Sequence, residues 1–155
     1  MRAVVQRVRE ARVEVAGATV ASIGRGLLVL LAVERGDGEQ EAAWLAEKLI
    51  HLRIFPDDEQ RMNRSVLEAQ GSVLSVSQFT LASRVGKGRR PDFTAAEEPV
   101  RARTLYETFN RLLAERVPVA TGVFAADMTV VLANWGPVTF ILERNGIAGG
   151  GREGR

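Results

Sequence analysis

GLLVLLAV, residues 26 to 33, is an unbroken apolar run in a chain that is otherwise well supplied with charge. The stretch Leu27 to Val33 is too short to span a bilayer, which takes about 20 residues as a helix. It reads as a β-strand covered on both faces, and such a strand requires packed layers on either side of it. Within 155 residues this predicts one domain with a true core, built without disulfides because the chain has no cysteine.

The remaining elements arrange themselves around that strand. Residues 2–8 and 12–16 alternate or run apolar with β-branched side chains, and Gly17-Ala18 turns the chain into a further strand. Asp37 is expected to cap a helix over 38–52, with Ala42, Leu45, Leu49 and Leu52 on its buried face. Pro56-Asp-Asp marks a turn, and residues 72–79 are strand-like. A second helix begins near Pro99, behind Glu97 and Glu98, and buries Ala102, Leu105, Phe109, Leu112 and Leu113. The expected architecture is a single α+β domain over 1–145, a mostly antiparallel or mixed sheet with two helices packed on it. The tail 146–155 is expected to be disordered.

One stretch resists this scheme. ANWGPVTF, 133–140, places Gly136-Pro137 inside the long β-forming segment from Met128 to Leu142. Proline donates no ladder hydrogen bond and glycine weakens a strand interior. Either a turn separates two strands here, or the backbone is shaped to meet a ligand.

Composition removes much of the usual chemistry. Without cysteine, and with His51 as the single histidine, thiolate nucleophiles, ordinary zinc sites and most Ser–His relays are excluded. Gly24-Arg-Gly26 lacks the third glycine of a dinucleotide-binding turn and precedes a strand. The N-terminus alternates and carries charge where a signal peptide would be apolar, so cytoplasmic residence without membrane attachment is expected. Two stretches keep chemical interest. Ser75-Val-Ser77-Gln78-Phe79-Thr80 is either a polar strand end or a site where exposed amides receive an oxyanion. Arg84 to Arg90 gathers Lys87, Arg89 and Arg90 with glycines, either as a solvated loop or as a phosphate contact for RNA.

Taken together, SVSQFTL (75–81) and NWGPVTF (134–140) resemble the paired signatures of the D-aminoacyl-tRNA deacylases, also called D-tyrosyl-tRNA deacylases. The resemblance is colinear through MRAVVQRV, IGRGLLVLLAV, KLIHLRIFPD, RMNRSV, KGRRPDF and LYETF, and only the tail after Asn145 falls outside it. It implies a cofactor-free homodimeric hydrolase acting on the ester between a D-amino acid and the 3′ end of tRNA. Ser77, Gln78, Phe79 and Thr80 would then line the pocket. Gly136-Pro137, as a cis-proline element, would reach into the partner's pocket and reject L-amino acids, with Arg7 supporting it. Trp135 stands where the family more often has aspartate. The alternative is a non-catalytic RNA-binding module using the loop 84–90.

Both the residue inventory and the resemblance imply a reaction that needs neither metal nor imidazole. Ester hydrolysis should therefore survive treatment with a chelator, and should survive His51→Ala in a folded sample. A hundredfold loss in either, about 2.7 kcal/mol of barrier, would show otherwise.

Overall fold

The computed structural model describes residues 1–86 and 88–145. Lys87 and the tail 146–155, where disorder was expected, lie outside the described residues. The strand order explains why the apolar run matters: β3 (Gly26–Ala32) lies between β1 (Arg2–Val15) and β6 (Ser72–Ser77). It pairs antiparallel with β1 and parallel with β6. Leu27, Val29 and Leu31 face one core and Leu28 and Leu30 the other, so the strand is buried on both faces as its composition predicts. The sheet continues through β2 (Ala18–Ile23) beyond β1 and through β7 (Val119–Thr121) beyond β6, while β8 (Thr129–Glu143) pairs with the other side of β1.

Two helices cover the first core. α1 (Glu39–Ile50) buries Ala42, Leu45 and Leu49, and α2 (Pro99–Ala114) buries Leu105, Phe109 and Leu113. Pro99 occupies the first turn of α2, and the Glu98 carboxylate accepts from the Arg101 and Val100 amides, which satisfies donors no helix can satisfy itself. The mixed sheet with two helices agrees with the α+β expectation.

The cap of α1 is a correction. Gly38, not Asp37, is the N-cap, and its amide donates to Glu41 Oε2 at 2.8 Å. Asp37 is buried instead, taking the Met1 amine at 2.6 Å and the Glu34 amide at 2.7 Å. Its carboxylate is occupied by a cation, which a buried charge requires more urgently than a helix requires a cap. The strand expected over 72–79 is also shorter than read. It ends at Ser77, and Phe79–Ala82 form a 3₁₀ turn. Pro56 belongs to a two-residue strand β4 (Phe55–Pro56) that pairs with β5 (Met62–Arg64), so the turn lies just beyond it.

The two segments read at 2–8 and 12–16 are one strand. Met1, Ala3 and Val5 face the helices, whereas Ala11 and Val13, of the same parity, face the second core. The reversal falls at Val8–Glu10, which pair with the consecutive residues Asn134 and Ala133, leaving Arg9 as the extra residue of a bulge. Past it, β1, β2 and the first half of β8 fold over the opposite face of β3 and β6, closing the second core with Ile23, Val130 and Leu132. Among the described residues no helix is long and apolar enough to cross a membrane.

The β3–β6 ladder begins at its tightest point. A Cβ on Gly26 would stand 1.8 Å from the Ser72 carbonyl oxygen, which is backbone and cannot step aside. Gly26→Ala should cost at least the 1–3 kcal/mol typical of overpacking, read as a drop of several degrees in Tm. Gly24→Ala, with nothing within 4 Å of the new atom, should leave Tm nearly unchanged.

Candidate active site

The end of β6 opens onto a cleft of about 470 Å³. Ser77 is the last strand residue and is half-buried on the wall, with Gln78 and Phe79 beside it. Gln78 leaves the extended conformation at φ −140°, ψ 76°, while its amide is still held by the Leu31 carbonyl at 2.8 Å. The 3₁₀ turn closes its own bonds starting from the Leu81 amide, which donates to the Gln78 carbonyl. The Phe79 and Thr80 amides precede that first bond and have no partner inside the turn. Thr80 is exposed, and its hydroxyl accepts from Gln78 Nε2.

Opposite this turn stand Phe124, Asp127 and Met128, on the connection between β7 and β8, and the Ala96–Pro99 segment that leads into α2. Sequence reasoning did not single out this wall. Its cue, Phe and Met separated by small residues in GVFAADM, looks like any connection between strands. The wall is held from behind. The Glu97 amide donates to the Val33 carbonyl at 3.0 Å, and Arg101 ties Glu97 to Asp37 by an ion pair at 3.2 Å and a bond to the Asp37 carbonyl at 2.8 Å. Below the cleft the Ser75 carbonyl accepts from the Tyr106 hydroxyl at 2.8 Å and from the Gly122 amide at 3.0 Å. One acceptor thereby joins strand, helix and wall. Burial raises the Tyr106 pKa, keeping the phenol as a donor.

Gly136 and Pro137 lie elsewhere. They are exposed, neither lines the cleft, and the bond between them is cis. They form no turn between separate strands. β8 runs through them, and four residues, Trp135 to Val138, oppose the single residue Arg7 of β1. Arg7 is buried beneath this bulge. Its Nε donates to the Trp135 carbonyl at 2.9 Å and Nη1 to the Ile54 carbonyl at 2.6 Å. Burial, and then the neighbouring charge of Arg9, lower its pKa. The Trp135 ring takes the place of an acidic neighbour: the Arg7 and Arg9 guanidiniums lie 4.4 Å and 4.7 Å from its centroid, and Phe55 packs edge-on at 6.3 Å.

Of the basic loop, Arg89 and Arg90 are exposed and Lys87 is outside the described residues. Arg84 and Asp92 bridge its base through paired backbone bonds of 2.9 Å. Phe93 packs against Phe79 with ring centroids 5.2 Å apart and planes tilted by 59°, so loop and cleft are neighbours. His51 caps α1 and pairs with Glu47 at 2.9 Å, and it is not among the residues lining the cleft. Among the described residues no three His, Cys, Asp or Glu side chains cluster as metal ligands would.

A turn bearing hydroxyls and free amides thus stands on a largely apolar cleft that also carries Glu97 and Asp127. Comparison with known proteins is specific. The family described as D-Tyr-tRNA(Tyr) deacylase matches residues 4–143. A D-aminoacyl-tRNA deacylase of Geobacter sulfurreducens is 60% identical over 144 residues, covering 92% of this chain and 95% of its own. Another, from Haemophilus influenzae, is 53% identical over 142 residues, covering 92% and 99%. Of the solved structures, the c-Myc DNA Unwinding Element Binding Protein superposes with a TM-score of 0.89 at 39% identity, covering 93% of this chain and 99% of that one. A probable eukaryotic D-amino acid tRNA deacylase shares the fold, with a TM-score of 0.78 at 20% identity over 91% and 97%. The chain belongs to the D-aminoacyl-tRNA deacylase family, and it is a hydrolase.

Gly136 has φ +140°, and a Cβ there would meet Val138 Cγ2 at 2.6 Å and Arg7 Nη2 at 3.1 Å. Gly136→Ala should therefore displace the bulge and reduce hydrolysis of D-aminoacyl-tRNA at least tenfold, more than Thr80→Ser does. Steady-state kinetics of the two variants, checked for folding by circular dichroism, measure this.

Proposed function

We propose that this chain hydrolyses the ester bond of D-aminoacyl-tRNA, releasing the free D-amino acid and tRNA, as a homodimer whose clefts are each completed by the partner's Gly136-Pro137. The observation that carries the reading is the separation of the two motifs within one chain. Ser77 to Phe79 line a cleft, while Gly136-Pro137 stands exposed on another surface. A second copy would bring them together. The long strand β8 supports this, since among the described residues it pairs with β1 alone, and it exposes Phe140 and Ile141.

In this mechanism the ester carbonyl sits against the turn, and the Phe79 and Thr80 amides receive the charge that develops on its oxygen. Gln78 and Thr80, joined by their hydrogen bond, and Ser77 hold the terminal adenosine and the carbonyl. Water attacks the carbonyl carbon, assisted by the ribose 2′-OH beside the ester. The bond to the ribose 3′-oxygen breaks, that oxygen keeps one proton of the water, the second proton passes to solvent, and the amino acid leaves as a carboxylate. An aminoacyl ester is already activated, so holding it in place supplies much of the acceleration. Among the described residues the Thr80 hydroxyl has no imidazole or carboxylate hydrogen-bonded to it, which argues against a covalent nucleophile.

Selection belongs to the main chain. Carbonyls of the partner's Gly136-Pro137 accept from the substrate's α-amino group and fill the space an L side chain would need, and Arg7 fixes the element from below. Glycine has no side chain to exclude, so glycyl-tRNA mischarged on a non-cognate tRNA is also cleaved. The second reading, a non-catalytic RNA-binding module on loop 84–90, draws on Arg89, Arg90 and the exposed Phe79–Phe93 pair beside them, with Lys87 in the same sequence run.

One assay decides between the readings. Incubation with D- and L-aminoacyl-tRNA should release free amino acid from the D form only, and binding without release would support the second. Thr80→Ser and Thr80→Ala should both keep measurable deacylation. An aminoacyl group trapped on Thr80 and detected by mass spectrometry would overturn the RNA-assisted route.

A further inference from the structure

The ladder between β1 and β3 ends at the pair Val8–Gly26, and just past it stand two exposed arginines, Arg9 on β1 and Arg25 in the turn that leads into β3. Like charges side by side across strands are unfavourable unless something neutralises them. Among the described residues neither makes an ion pair within 4.0 Å, and neither does the buried Arg7 next to them. Arg9 lies on the Trp135 ring, and Arg25 donates to the Ala69 carbonyl at 2.6 Å.

Trp135 and Arg25 share a second cavity of about 240 Å³, away from the cleft. The nearby acid, Glu68, is engaged in its own turn, accepting from the Ser65 amide at 2.7 Å. Arg64, also on this cavity, is paired with Asp58 at 2.8 Å. The surface therefore presents two planar cations and an indole with no carboxylate committed to them. Planar guanidiniums on an aromatic support suit bidentate contact with phosphate.

The same surface carries Gly136-Pro137, one residue beyond Trp135. We propose that Arg9 and Arg25, backed by Trp135, form an RNA phosphate-binding site that each subunit contributes beside its partner's cleft, gripping the backbone of the tRNA upstream of the terminal adenosine. This rests on the dimeric deacylase reading. It extends that reading by placing the phosphate contact on the subunit that supplies the Gly-Pro element rather than on the one that supplies Ser77 to Thr80.

The test uses Arg9→Gln/Arg25→Gln and the charge-preserving Arg9→Lys/Arg25→Lys, with two substrates: full-length D-aminoacyl-tRNA and the D-aminoacyl ester of adenosine, which has no phosphodiester. For the tRNA, the Gln pair should raise KM about tenfold at low salt with kcat little changed. It should also reduce the slope of log kcat/KM against log salt by roughly one to two, since each phosphate contact contributes about 0.7–0.9. The Lys pair should recover most of that slope, and the adenosine ester should respond to neither. An unchanged slope, or an equal loss on the adenosine ester, would overturn the site. So would a shift in dimer dissociation without a change in slope, because the arginines would then belong to the subunit contact. Binding of uncharged tRNA, followed by fluorescence anisotropy against salt, separates the two proposals. If the wild-type chain cleaves neither ester but the Gln pair still loses binding slope, the hydrolytic reading fails and the phosphate site stands. If wild type cleaves the D ester and the variants bind and cleave as it does, the phosphate site fails alone.

Discussion

A buried guanidinium under a strand bulge is the constraint on which this molecule turns. Arg7 sits where four residues of β8 pass over one residue of β1, and its donors reach carbonyls on two separate segments. A buried cation without a carboxylate is costly unless its donors are satisfied and its charge is shared. Here carbonyls take the donors, and the Trp135 ring spreads the charge. Two residues on, the bulge at Arg9 reverses which side of β1 faces inward. The sheet can then cover helices with one half and its own far face with the other. The bulge that exposes Gly136-Pro137 therefore lies beside the bend that closes the second core.

Much of this could be read from the residues, and the failures have physical causes. The apolar run at 27–33 predicts a doubly covered strand because no partly exposed strand would tolerate that composition. Both helices follow from their spacing, and Pro99 announces the second. Asp37 deceived because a carboxylate before a helix has two plausible partners, and its competing partner is the Met1 amine, a contact across 36 positions of sequence. The join of 2–8 to 12–16 was hidden because Arg9-Glu10 interrupts the alternation, which is how a bulge looks in sequence. Gln78 looks like a strand residue because nothing local reports that Ser77 is the last residue with a ladder partner.

The candidate site divides in the same way. Ser77 and Gln78 announce themselves as polar residues closing a largely apolar strand, and the structure puts them, with Phe79, on a cleft. The opposite wall, Phe124 to Met128, lies on a connection whose composition does not mark it as a site, although Asp127 puts a carboxylate on the cleft. Gly136-Pro137 was conspicuous as an anomaly, but its surroundings were not. The two guanidiniums on Trp135 come from positions 7 and 9, more than 120 residues earlier, and only β1–β8 pairing brings them there. In the proposed mechanism, amides and the substrate's own hydroxyl do the catalysis, which leaves to side chains the tasks of spacing and exclusion.

Gly26 also acts as a ruler. Its missing side chain lets β3 and β6 approach at Ser72, and from there the parallel register runs residue by residue to Leu31 opposite Ser77. Five steps at about 3.3 Å each carry that alignment some 16 Å to the lip of the cleft. A slip by one position would turn Ser77 to the opposite face of the sheet and move the break at Gln78 with it. In the proposed mechanism, the depth at which the substrate carbonyl meets the turn is thus measured out from a glycine half a sheet away.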